Sequence, residues 1–106
     1  MKVTDRAFNA LGDPTRRIIF GKLRRRPLAV SEIAVGLKVS RPAVSQHLKV
    51  LKEAKLIFMY KKGTRSIYQI NKQGVVAMRG YLDKFWNEAL GKFKIAAENI
   101  EKQTAK

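Results

Sequence analysis

The sequence predicts one mainly helical domain carrying a single two-stranded β-hairpin, and three observations carry that expectation. Apolar residues recur at helical spacing along most of the 106 residues. Two helix-start signals, Asp13-Pro14 and Ser40-Arg41-Pro42, divide them. A run rich in Ile, Phe, Met and Tyr is broken once, at Lys62-Gly63-Thr64-Arg65, in the manner of a hairpin turn. The length leaves room for one modest core and excludes a two-domain enzyme, and a hydrophobic content of 45% is that of a folded chain.

The first helix is expected over about Thr4 to Leu11, with Phe8 and Leu11 inward. Gly12 and Asp13 end it, and Asp13 caps a second helix whose core face is Ile18, Ile19 and Leu23. The Arg24-Arg25-Arg26 run before Pro27 reads first as a solvated helix end, since cations favour that pole of the helix dipole, and second as a phosphate contact. A shorter helix, Ser31 to about Leu37, buries Ile33, Ala34 and Leu37. Ser40 then caps a fourth helix with Ala43, Val44, Leu48 and Leu51 on its apolar side. Two helices joined by so tight a turn cross steeply, as in a helix-turn-helix. Ala34 supplies the small residue at their contact, Val39 the apolar residue of the turn, and Val44 the lock between them. Leu56 to Lys61 and Ser66 to Ile70 pair as a basic-tipped wing. Asn71 caps a last helix reaching about Ile100, with Met78, Leu82, Phe85, Ala89, Phe93, Ala96 and Ile100 along one seam. The whole is a winged helix-turn-helix over residues 1–106, with a reading unit at about 31–54, a wing at about 57–70 and a terminal helix at about 72–100.

The net charge of +15 calls for an anionic partner. Residues 38–65 carry +7 of it, against +5 before and +3 after. Double-stranded DNA is the first expectation and an anionic membrane surface the second. The absence of cysteine removes disulfide frameworks, thiolate nucleophiles and thiolate metal sites. No apolar run has the length of a spanning helix and the first residues do not resemble a signal peptide, so a cytoplasmic protein is expected. Catalysis has no support: the only histidine, His47, reads as a half-buried structural imidazole, and no nucleophile-base grouping or phosphate loop accompanies it. No cofactor and no metal are expected, and the residues name no small-molecule inducer.

Outward positions at the start of the fourth helix are Ser40, Arg41, Pro42, Ser45, Gln46 and Lys49. Arg41 has the planar fork that pairs with guanine and Gln46 the amide that pairs with adenine across a major groove. Ser40 and Ser45 suit phosphate or base contacts and Lys49 suits phosphate, while Pro42 shapes the helix start. At the wing, Lys61, Lys62 and Arg65 are placed to straddle a DNA backbone or enter a minor groove beside the helix, with the Thr64 hydroxyl a weaker phosphate contact; the bland alternative is that the cations only protect edge strands from pairing. The seam of the last helix is widened by Tyr81, Trp86 and Leu90 beyond what one small domain covers, which predicts a homodimer through Phe8, Met78, Leu82, Phe85, Trp86, Ala89 and Phe93. A two-fold dimer sets its reading helices about 34 Å apart and demands a nearly palindromic site. The mixed charges of that helix argue against a membrane role.

Ala10-Leu11-Gly12-Asp13-Pro14-Thr15-Arg16-Arg17, followed by Val39-Ser40-Arg41-Pro42-Ala43-Val44-Ser45-Gln46-His47-Leu48-Lys49-Val50-Leu51, resembles the ArsR family of winged-helix repressors over about residues 4–75. The helix with Trp86 and Phe93 is similar to the branch of small autorepressors without metal ligands. The resemblance implies a dimer through the outer helices, a helix from Ser40 in the major groove, and a repressor that leaves its operator on a signal. Metal sensors of the family carry a cysteine pair in the third helix or an acid-and-histidine set on the last. This chain has Val30, Ser31 and Glu32 at the first place and no histidine at the second. Lys38 stands where the turn often has glycine, so either a small left-handed strain there or a slightly different build of the turn is expected. A nonspecific architectural DNA protein and a winged-helix module that binds protein remain as alternatives.

Overall fold

Asp13 and Ser40 set the helix boundaries of the N-terminal half. In the computed structural model, which describes the backbone of residues 3–104 and the side chains of residues 5–101, α1 (Val3–Ala10) gives way to α2 (Pro14–Arg25) across a short turn. The Asp13 carboxylate accepts the Arg16 amide hydrogen at 3.1 Å, and Pro14 occupies the first turn, where its missing N–H leaves no bond unmade. α2 buries Ile19 and Leu23, whereas Ile18, expected inside, is 52% exposed. In α1 the core takes Ala7 and Ala10, while Phe8 stays at the surface against Tyr81 and Leu11 packs only at the core's margin. Both corrections have one reason. Each helix is covered on one side, so its buried stripe is narrow and a large neighbour about 100° around is left at the edge.

The Pro27 corner leads into β1 (Leu28–Ala29), which the sequence reading lacks because two residues show no period. It pairs antiparallel with β3, Leu28 opposite Tyr68 and Ala29 opposite Ile67, so the sheet has three strands in the order β1-β3-β2 instead of the hairpin alone. β2 (Ile57–Lys62) and β3 (Arg65–Ile70) pair from Ile57–Ile70 out to Lys62–Arg65. The two-residue loop between them has a left-handed φ at Gly63 and not at Thr64, the backbone of a type II′ turn.

α3 (Val30–Ala34) ends before the expected Leu37. The Lys22 ammonium donates to the Ile33 carbonyl at 2.9 Å and to the Val35 carbonyl, satisfying the helix end with a cation. Gly36 takes the left-handed backbone of the turn, φ +78°, so of the two builds expected at Lys38 the turn adopts the different one, without left-handed strain at that lysine. Leu37 is the turn residue that packs on the core, while Val39, expected in that part, is 37% exposed. The reversal is completed two residues earlier than the pattern places it. α4 (Arg41–Glu53) starts on Ser40, whose Oγ accepts the Ala43 amide hydrogen at 3.2 Å, and it buries Val44, Leu48 and Leu51 in one cluster with Ile19, Leu23 and Ile33.

The far end of α4 is closed by a Schellman motif. The Leu56 amide donates to the Leu51 carbonyl at 3.1 Å and the Lys55 amide to the Lys52 carbonyl at 3.0 Å, with Lys55 at φ 64° where glycine is usual. Leu51 and Leu56 make the accompanying apolar contact, both fully buried. α5 (Lys72–Thr104) begins directly over this cap and runs past the expected Ile100. A Cβ on Gly74 would lie 1.7 Å from the Lys55 carbonyl oxygen, so only glycine lets the helix cross there. Val75 and Met78 pack on the core, and from Arg79 to Glu101 every residue is exposed. The helix therefore projects, and the molecule is 73 Å long but only 27 by 26 Å across.

Two substitutions separate these effects in urea unfolding at fixed protein concentration. Gly74→Ala should lower stability by about 1–3 kcal/mol, the usual cost of forcing atoms into a filled space. Lys55→Gly should raise it by about 0.5–1 kcal/mol, because it relieves the left-handed lysine.

Candidate nucleic-acid interface

α4 is fixed from behind by Arg16. Its Nε donates to the Ala10 carbonyl at 2.6 Å and its Nη2 to the Asn9 carbonyl at 3.4 Å, closing the end of α1. Nη1 lies 4.0 Å from the Asp13 carboxylate and 3.5 Å from His47 Nδ1 on α4. Arginine can only donate, so His47 Nδ1 is the acceptor of that contact. Arg17 adds a bond from Nη1 to the Leu11 carbonyl at 2.8 Å. The segment Ala10 to Arg17 thus ties α1, α2 and α4 together. His47 is half-buried in it, with no arrangement for base catalysis around it.

On the opposite side of α4, Arg41, Pro42, Ser45, Gln46 and Lys49 are all exposed. Arg41, Ser45 and Lys49 follow at steps of four and share one face, rising about 12 Å from first to last. Arg41, Ser45, Gln46 and Lys49 have no side-chain hydrogen bond or ion pair to another described residue. Ser40 differs: its oxygen caps the helix, which leaves its O–H as a donor.

The wing residues divide. Lys61 Nζ donates to Ser66 Oγ at 2.9 Å, and Arg65 Nη2 reaches Glu32 Oε1 at 3.1 Å. Lys62 and Thr64 carry no such contact to a described residue. Glu32 is the residue that sequence reasoning missed. It also accepts the Ala29 amide hydrogen at 2.9 Å and pairs with Arg26 at 3.2 Å. Its carboxyl is held below the ordinary range, first by the Ala29 amide, against an opposing push from burial, and then by Arg26 and Arg65. The readable signal is a glutamate three residues after a helix start, as in a capping box, but Ala29 stands where the serine or threonine of that pattern would be.

The residues expected in a dimer contact also fall into two sets. Met78 is half-buried against its own core and Phe8 packs on Tyr81 with ring centroids 5.6 Å apart. Leu82, Phe85, Trp86, Ala89 and Phe93 are exposed on α5, Trp86 by 52% and Phe93 by 72%. Phe85 and Trp86 meet edge to face at 5.7 Å. Asp83 pairs with Arg79 at 3.7 Å. Among the described residues no three His, Cys, Asp or Glu side chains gather as metal ligands. No helix formed by those residues is long and apolar enough to cross a membrane.

The Asp13 cap has a pH signature. The Arg16 amide holds its carboxyl below the ordinary 3.8 against an opposing push from burial, with further help from the Thr15 amide and the Arg16 guanidinium. A carboxylate lowered by folding contributes fully above its unfolded value and loses that contribution as pH falls through the folded one. Asp13→Asn keeps a capping oxygen without the titration. Its thermal midpoint should therefore fall less steeply than wild type's below pH 3.8.

Residues 13–57 match the family model for bacterial regulatory proteins of the arsR family. The chain is 56% identical over 86 residues to the HTH-type transcriptional regulator Rv2034 of Mycobacterium tuberculosis, spanning 81% of this chain and 80% of that protein. It is 38% identical over 64 residues to the transcriptional repressor SdpR of Bacillus subtilis, spanning 60% of this chain and 71% of the repressor. Among solved structures, an ArsR-like transcriptional regulator from Rhodococcus superposes with a TM-score of 0.74 at 28% identity, over 87% of this chain and 90% of the other. A homodimeric winged helix-turn-helix DNA-binding domain from Mycobacterium bovis does so with a TM-score of 0.65 at 26% identity, over 83% and 82%. These relatives are regulators of transcription, in agreement with the expectation that the chain is not an enzyme.

Proposed function

Since the chain belongs to the arsR family of DNA-binding transcriptional regulators, we propose that it is a homodimeric repressor whose paired α4 helices read a near-palindromic operator. The observation that carries the reading is the row of exposed, unengaged Arg41, Ser45, Gln46 and Lys49 on a helix whose other side is anchored. In this reading Arg41 and Gln46 meet base edges, Ser40, Ser45 and Lys49 meet phosphates, and Pro42 sets the approach of the helix start. Lys62 and Thr64 at the wing tip grip the backbone, with Lys61 and Arg65 behind them. The 1–106 unit works in the cytoplasm, where its DNA lies.

The dimer reading rests on α5. A helix with Leu82, Phe85, Trp86, Ala89 and Phe93 in water forgoes about 25 cal/mol for each Å² of apolar surface left uncovered. The same stripe of a second copy, with Phe8 beside it, covers that surface and generates a two-fold axis. The homodimeric state of the Mycobacterium bovis domain supports this assignment. A nonspecific architectural DNA protein is the second reading, favoured by the charge of +15.

Sequencing of genomic fragments retained by the purified protein against excess random duplex decides between them: a repressor enriches a site with two related halves, and an architectural protein enriches none. On that site, a dimer neutralising on the order of eight phosphates should give a log-log salt slope of about −7. Arg41→Ala should cost about 1–3 kcal/mol and relax one base position, whereas Lys62→Ala should weaken all sequences alike. Phe85→Glu combined with Trp86→Glu should sediment as a monomer and lose operator affinity while keeping its helical circular dichroism. A dimeric double variant would sink the α5 interface.

A further inference from the structure

The outer end of the wing is weakly moored. β1 meets β3 only at Leu28–Tyr68 and Ala29–Ile67. Beyond that point a cleft of about 520 Å³, bordered by Pro27, Tyr60, Lys62 and Ile67, separates the strands from the α2–β1 corner. Glu32 spans this cleft. One carboxylate on α3 accepts from Arg65 beside the wing turn, from Arg26 at the end of α2, and from the Ala29 amide at the start of its own helix. Each exposed ion pair alone contributes little to folding, but the three donors converge on one group and fix its direction.

We propose that Glu32 is a positioning residue for DNA binding: through Arg65 it holds the wing tip at a set angle to α4, so this acidic side chain strengthens the grip on an anionic partner. The inference rests on the DNA-reading role proposed above. Charge and position make opposite predictions here. Removing a negative charge from a DNA-binding protein should tighten binding by attraction alone and free Arg65 for a phosphate. If Glu32 works through position, its removal loosens binding.

Glu32→Gln isolates the two, because glutamine still accepts the Ala29 amide hydrogen and keeps the helix start while losing both ion pairs. The full-length variant is titrated by fluorescence anisotropy against the duplex that wild type selects, at several salt concentrations, with a thermal melt to verify folding. Affinity should fall about three- to tenfold, as for the loss of one coupled contact, with an unchanged salt slope. In an Arg65→Gln background the same change should have no further effect, since the bridge is already broken. Equal or tighter binding by Glu32→Gln, a slope steeper by about 0.9, or a loss that persists without Arg65 would overturn the proposal. A random duplex run in parallel keeps the readings apart: wild type binding it as tightly as the selected one defeats the repressor assignment and not the clamp, which the variants still test on either duplex.

Discussion

One guanidinium sets the frame on which the other elements are hung. Arg16 closes α1 through the Asn9 and Ala10 carbonyls, faces the aspartate that opens α2, and meets the imidazole of α4. With a side chain only 18% exposed, it acts where solvent screens electrostatic contacts less than at the open surface. The consequence reaches the far side of α4. In the proposed function that helix offers Arg41, Gln46 and Lys49 to a rigid duplex, and it has to be held by contacts that do not use those residues. The Arg16–His47 contact and the apolar row Val44, Leu48 and Leu51 do this from behind.

Much of this architecture was legible in the sequence because it is written in local chemistry. Asp13-Pro14 and Ser40-Arg41-Pro42 mark helix starts by hydrogen bonding and a fixed φ, and both caps form where they are expected. The hairpin turn at Lys62 to Arg65 is equally local. What was not legible depends on partners distant in the chain. β1 exists only because Ile67 and Tyr68 come alongside it. Ile18 and Ile19 are indistinguishable by composition, and only the one-sided cover of α2 sends the first outward. The turn takes its left-handed residue at Gly36, after α3 ends on carbonyls that accept from Lys22 of a neighbouring helix. The outward residues of α4 were named correctly as an exposed set, whereas the engagement of Lys61 and Arg65 could not be read without their partners Ser66 and Glu32.

The few acidic side chains are consequently more informative than the many basic ones. Eight carboxylate side chains stand against 23 cations, yet Asp13 and Glu32 each collect a backbone amide and at least one arginine. Folding lowers the pKa of both, so both remain ionised at neutral pH. They organise parts of a surface whose long-range field is set by its cations, and the two functions are separable: a distant lysine changes attraction, and a local carboxylate changes shape.

The crossing at Gly74 has a mechanical consequence. There the first turn of α5 rests on the Lys55 carbonyl, main chain upon main chain, with no Cβ between them. Side chains ordinarily cushion helix contacts, since a rotamer can give way before the helix does. Here there is no such cushion, and α5 extends about 45 Å outward from the bearing at its usual rise per residue. A tilt imposed anywhere along that lever arrives undamped at the tail of α4, so in the proposed dimer the spacing of the two protomers and the attitude of each α4 are geared to one another.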